Sequence, residues 1–128
     1  MFHRNTLRPI VISALVLAAL GATATFSATA VPAKGDAKAG QAVFKAKACA
    51  TCHKADGSGG VKLTGNATPN WKDPKVWADP KRNDAYQRDC IMNGKTKSGM
   101  VAWGTTGQIK PADIENLIAY IHTLKPKK

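Results

Sequence analysis

Cys49-Ala50-Thr51-Cys52-His53 is the stretch that decides how this chain is read. Two residues between the thiols let one helical turn present both sulfurs to the two vinyl groups of a single porphyrin. The next residue, His53, can then aim its imidazole at the iron. Cys-x-x-Cys-His is the attachment signature of c-type haem, and its thioether bonds keep the group in place even if an iron ligand dissociates. Two other chemistries use similar residues. A thioredoxin-like pair sits in a βαβ pattern, which the flanking sequence lacks. A structural zinc site needs four ligands. Cys49, Cys52, Cys90 and one histidine could supply them, but their spacing is unlike a finger or ribbon. The motif therefore points to one covalently attached haem c.

Outward from the motif, the N-terminal side reads as an export signal. Arg4 and Arg8 precede an uncharged apolar run from Ile10 to Leu20, and small residues lead to Ala28-Thr29-Ala30, an Ala-x-Ala cleavage pattern. The run is short of the roughly 20 residues that span a bilayer, so a retained anchor is the weaker reading. Residues 1–30 are expected to be a cleaved signal peptide and residues 31–128 a single domain, located in the periplasm, where bacterial c-type haem is attached after export. Cleavage removes Arg4 and Arg8 from a formal charge of +11 and leaves about +9. Much of the 44% hydrophobic content leaves too, so the remaining core is modest and a small domain of this kind needs a staple; a buried haem supplies one.

Three cysteines is an odd number for an exported chain. Cys49 and Cys52 are too close together for a framework disulfide between distant segments. Cys90 reads most simply as a small buried apolar residue, with an intermolecular disulfide or an alternative iron ligand as the sharper readings.

The local patterns are helical. Asp36 suits the N-cap of a helix over Ala37–Ala46, with Gly40, Val43 and Phe44 on one face. From Asp56 to about Trp77 the chain is rich in Gly, Pro, Asn and Lys and reads as an irregular loop. A second helix is expected over Asn83–Asn93, with Tyr86, Cys90 and Ile91 inward and Gly94 at C′. A third begins near Pro111, carries the stripe Ile114, Leu117, Ile118, Ile121, and is stapled at its start by Ile109. Nothing alternates with period two, so the fold class is all-α.

With these pieces in order, nearly the whole of residues 31–128 resembles a class I cytochrome c of the short bacterial kind, and is similar to the cytochrome domains found with haem–copper oxidases. The resemblance rests on Gly40 and Phe44, the haem motif, Ala67-Thr68-Pro69-Asn70-Trp71, Ile91-Met92-Asn93-Gly94, Met100-Val101-Ala102-Trp103, and the segment from Pro111 to Leu124 with Tyr120. It implies the class I cytochrome c fold, with three main helices around one haem and the first and last helices crossing closely, Gly40 against Tyr120. It also implies a methionine as second iron ligand in the loop before the last helix. Met100 holds that place, so the expected haem-binding residues are Cys49, Cys52, His53 and Met100, with His53 and Met100 on the iron. The family usually has proline directly after this methionine; here Val101 follows. Met92 reads as a packing residue. Pro69 resembles the family proline whose carbonyl accepts the proton of the axial imidazole's other nitrogen. Trp77 and Trp103 are expected near the haem edge, reaching a propionate or simply packing, and His122 is expected to be exposed.

The same resemblance implies a function. A haem with both axial places taken offers no position for a substrate, so the chain is expected to carry single electrons and not to be an enzyme. The basic surface suits acidic patches on redox partners, a dehydrogenase or a terminal oxidase, with Lys54, Lys95 and Lys97 as first candidates for contact. No recognisable nucleic-acid motif accompanies the positive charge, and export argues against that use. The alternatives are a haem subunit of a catalytic complex, for instance one oxidising a sulfur compound, or a ligand-binding haem protein if Met100 leaves the iron free.

Overall fold

The computed structural model describes residues 34–127, so the expected signal peptide lies outside the described residues. Among the described residues five α-helices run in chain order: α1 (Ala37–Ala46), α2 (Ala50–His53), α3 (Pro74–Ala78), α4 (Asp84–Asn93) and α5 (Pro111–Thr123). Two 3-10 turns, Pro80–Arg82 and Thr96–Ser98, lie between them. No strand occurs among the described residues; one isolated antiparallel bridge joins Lys95 and Met100.

The three long helices form where capping and periodicity place them. The Asp36 carboxylate accepts from the Ala39 N–H at 2.9 Å at the head of α1, and the Asn83 side chain accepts from the Tyr86 N–H at 3.0 Å at the head of α4. Pro111 opens α5 at a position where its missing N–H costs nothing. The end of α1 is a Schellman closure: the Ala48 N–H donates to the Lys45 carbonyl and the Cys49 N–H to the Phe44 carbonyl. Ala48 takes the left-handed position there, with φ 53°. The closure turns the chain out of α1 directly into the haem motif.

α1 crosses α5 in backbone contact. A Cβ on Gly40 would lie 1.8 Å from the Asn116 carbonyl oxygen, and one on Gly35 2.0 Å from that of Glu115. The Asn116 side chain also accepts from the Asp36 N–H at 2.8 Å. The expected partner of Gly40 was Tyr120; its closest approach is instead to the backbone of Asn116 and Leu117. The Tyr120 ring lies one turn further along, tilted against Phe44 at 5.2 Å. Beneath the crossing, Ile109, Ile114, Leu117, Ile118 and Ile121 are all buried, Ile114 to 1% exposure, each worth about 1.5–3 kcal/mol when fully removed from water. α4 is tied to α5 by Arg88, whose guanidinium donates to both oxygens of Glu115, one at 2.8 Å.

Two local expectations change. The segment read as loop up to Trp77 ends in α3, because the Asp73 carboxylate caps it by accepting from the Lys75 N–H at 2.9 Å and Pro74 stands at its first turn. On α4 only Ile91 reaches the core; Cys90 is half-buried and Tyr86 is 37% exposed. Both line a cavity, so the helix face assigned to the core is divided between core and cavity wall.

Candidate functional site

Between α1 and α2 on one side and α4 with its following loop on the other lies a cavity of about 530 Å³, within the size range of small-molecule and cofactor sites. Its walls are largely apolar: Phe44, Val61, Trp71, Ile91, Trp103 and Leu117 contribute. Cys49, Cys52 and His53 line it together, and so does Met100. Met92 does not line it; its sulfur packs where a Cβ on Gly104 would stand, 2.3 Å away.

The haem motif is presented by a short turn bracketed by two positive-φ residues that are not glycine, Ala48 at 53° and Lys54 at 58°. Such conformations cost of order 1–3 kcal/mol each and persist where the surroundings over-determine them. The loop after the motif supplies that constraint. The Thr68 hydroxyl donates to the Cys52 carbonyl at 2.8 Å and accepts from the Val61 N–H at 3.1 Å. The Gly59 N–H donates to the His53 carbonyl, and the Trp71 N–H to the Gly57 carbonyl. Gly59, with φ 56°, is required by space as well as by angle, since a Cβ there would stand 2.1 Å from the Pro69 carbonyl oxygen.

His53 is fixed by stacking. Its ring lies parallel to that of buried Trp71, centroids 4.6 Å apart and planes 7° from parallel. Burial pushes its pKa down to about 4, which keeps the imidazole neutral, the form a metal needs. Its Nδ1 is buried without a hydrogen-bond partner among the described residues. The hydrogen bond expected to the Pro69 carbonyl is therefore not formed. The Cys49 thiol is pushed up, chiefly by burial, and no disulfide joins Cys49, Cys52 or Cys90.

Met100 sits on a closed loop. The Lys95 N–H donates to the Met100 carbonyl at 3.0 Å and the Met100 N–H to the Lys95 carbonyl at 3.1 Å. Gly94 (φ 71°) and Gly99 (φ 79°) make the two sharp bends. A Cβ on Gly94 would meet the Met100 carbonyl oxygen and the Ala102 nitrogen, both at 2.7 Å. From the loop that follows the haem motif, the Thr64 hydroxyl donates to the Lys97 carbonyl at 3.0 Å.

Trp77 donates its indole N–H to the Trp71 carbonyl at 2.6 Å, which makes it a brace for the ring behind His53 and leaves no donor for a propionate. Trp103 lines the cavity. His122 is exposed, and its Nε2 lies 2.6 Å from an Asp84 carboxylate oxygen. Lys95 is held by Asp89 at 3.2 Å and lies over the Tyr86 ring, so its charge is already answered. Among the described residues no three of His, Cys, Asp and Glu gather closely enough to hold a metal ion, so the zinc reading has no geometric basis. The sequence reading passed over the Trp71 stack and the cavity-lining Arg82 and Gln87. Gln87 was within reach, because it shares a helix face with Cys90 and Ile91 at i, i+3, i+4; nothing in the sequence marks Arg82.

The site fits a haem. Two thiols one turn apart, a neutral imidazole beside them and an apolar cavity of suitable size are the donor set and the surroundings that this group needs. The family model described as cytochrome c matches residues 37–125. No curated protein and no solved structure gives a significant match. The matched span covers the long helices, the haem motif and the Met100 loop alike: the chain belongs to the cytochrome c family, class I, and carries covalently bound haem c used in electron transfer.

Proposed function

We propose that the protein is an exported single-electron carrier, residues 31–128 after loss of a signal peptide, with its haem joined to Cys49 and Cys52 and its iron held by His53 and Met100. The observation that carries this reading is the convergence of these four side chains on one cavity while Met92 packs elsewhere. Bound there, the haem supplies a one-electron iron couple. The chain's own residues set the terms for it. Trp71, braced by Trp77, fixes the plane of the His53 ring. Burial keeps that imidazole unprotonated. Met100 offers a soft sulfur that favours the ferrous state and so a higher potential. The apolar walls keep water from the metal.

With two side chains committed to the iron, no coordination position is left for a substrate, which favours transfer over catalysis. No helix among the described residues is long and apolar enough to cross a membrane. The charge pattern favours an acidic redox partner, a dehydrogenase or a terminal oxidase in the periplasm. No acidic residue falls between Asp36 and Asp56, between Asp56 and Asp73, or between Asp89 and Asp113. These three stretches carry the haem motif, the loop laced onto it and Met100, so the loops that frame the cavity contribute only positive charge. Lys54 and Lys97 remain good contact candidates; Lys95 is the poorest of the three, being paired with Asp89.

The test is to add carbon monoxide to the reduced protein and record the visible spectrum. An unchanged spectrum is expected when both axial positions are filled. A rapid shift to a carbon monoxide adduct would overturn the carrier reading in favour of a ligand-binding haem protein.

A further inference from the structure

Trp77 belongs to two cavities. It is part of the wall of the haem cavity, and it also lines an open groove of about 420 Å³ between α3 and the segment that follows α5. Among the described residues it is the one residue common to both. Pro74, Ala78 and Pro126 complete an apolar floor, and Lys125 and Lys127 stand beside it. The Lys125 Nζ lies 5.2 Å from the centroid of the Trp77 ring, a cation on an aromatic face. Neither lysine is paired with a carboxylate among the described residues. No acidic residue lines the groove, and those near it in sequence are engaged elsewhere. Asp73 caps α3, Asp79 caps the 3-10 turn and reaches Arg82, and Asp84 meets His122. The groove therefore presents positive charge over an apolar floor. Behind it Trp77 is held by its hydrogen bond to the Trp71 carbonyl and by the His122 ring, 5.2 Å away. Trp71 in turn stacks on His53, so packed groups run from the axial imidazole to the groove.

We propose that this groove is a second docking surface, for a redox protein that presents an acidic patch, and that Trp77 is the contact through which an electron passes between that protein and the haem. The proposal rests on the electron-carrier reading above and adds a place for a partner besides the loops that carry Lys54 and Lys97, neither of which lines the groove. Carboxylates of the partner pair with Lys125 and Lys127, whose charges concentrate and orient it before contact. Two prolines and a braced indole lose little freedom when covered, which lowers the cost of docking. Tunnelling falls off exponentially with distance, and packed protein atoms carry it better than a gap of solvent. The oxidised metal centre of the partner accepts one electron, which leaves the iron ferric; no bond is made or broken and no proton moves. Trp77 shortens the path and is not itself oxidised.

The test is stopped-flow oxidation of the reduced, haem-loaded protein by an acidic blue-copper protein at low salt. Lys125→Glu/Lys127→Glu is compared with Lys38→Glu/Lys110→Glu, which makes the same change in net charge at two exposed lysines that line neither cavity. The groove pair should lower the second-order rate by about tenfold or more, the control pair by much less, and the gap should close in high salt. Equal falls in the two pairs would overturn the proposal. Trp77→Ala should slow oxidation by the acidic protein far more than oxidation by a small neutral one-electron reagent, which needs no docking surface. Equal slowing of both reactions would mean that Trp77 only shapes the haem site, and would also overturn it. Intact mass and the carbon monoxide test, taken first on the wild type, keep a failure of haem attachment or of the carrier reading distinct from a failure of the groove.

Discussion

Where α1 crosses α5, backbone meets backbone and almost nothing can move; around the cavity, the loops over residues 57–71 and 94–104 are held by individual hydrogen bonds and left-handed glycines. At the crossing, Gly40 and Gly35 admit the Asn116 and Glu115 carbonyls to distances that no side chain tolerates. At the cavity, Thr64, Thr68, Gly59 and Gly94 each fix one short piece of chain. The crossing carries the stability and is indifferent to chemistry. The loops carry Met100 and, through Trp71, fix His53; apart from Trp71 they contribute little apolar burial of their own, so most substitutions there should move the iron's properties more than the fold.

The sharpest way to break this contrast is Gly40→Val. Its side chain would drive α1 off α5, and the loss should be at least about 5 kcal/mol, the exceptional class for one substitution. Thermal unfolding should show little or no cooperative transition. Next come two buried residues of similar cost. Trp71→Ala and Ile114→Ala should each lose about 2–5 kcal/mol, but only Trp71→Ala, which removes the stack on His53, should shift the reduction potential. Equal potentials in the two variants would dissolve the division between scaffold and site.

A smaller effect is expected where α4 meets α5. The Arg88 guanidinium holds the Glu115 carboxyl below its usual value of 4.5. A depressed carboxylate stabilises the fold above its unfolded pKa and loses that contribution as pH falls through the folded one. Glu115→Gln should therefore cost about 0.5–1 kcal/mol at neutral pH. The gap from wild type should close as pH drops below about 4.5, measured by urea unfolding across that range. The smallest effects belong to the cavity rim. Lys97→Ala should slow electron transfer to an acidic partner more than Lys95→Ala, because Asp89 already neutralises Lys95. Both differences should vanish in high salt, where the Debye length falls from about 10 Å at 0.1 M to about 3 Å at 1 M. Stopped-flow rates with a negatively charged redox protein would show it.

Much of the crossing was legible in the sequence because each signal there is local. Asp36 caps three residues ahead, Pro111 opens a helix, and Ile114, Leu117, Ile118 and Ile121 repeat at the helical period. The haem motif was legible for the same reason, since five consecutive residues contain it. What stayed hidden depends on residues far apart in the chain. Trp71 stacks on His53 from 18 positions away, and Trp77 braces it through a backbone carbonyl that no pattern encodes. Tyr86 and Cys90 fall on an inward face by periodicity, yet that face opens onto a cavity, and periodicity cannot tell core from cavity wall. The Pro69 expectation came from resemblance alone, and the His53 Nδ1 is buried without the partner that it implies.

Ligation of the iron by Met100 is tested by a spectropotentiometric titration of the haem-loaded wild type beside Met100→Ala and Met92→Ala. The wild type should give a single one-electron wave, with a slope of about 59 mV per decade, and a sulfur-to-iron absorption band in the oxidised form. Met100→Ala should lose that band and titrate at a lower potential, while Met92→Ala should keep both. A lost band and lowered potential in Met92→Ala, with Met100→Ala unchanged, would put Met92 on the iron and refute Met100 as its ligand.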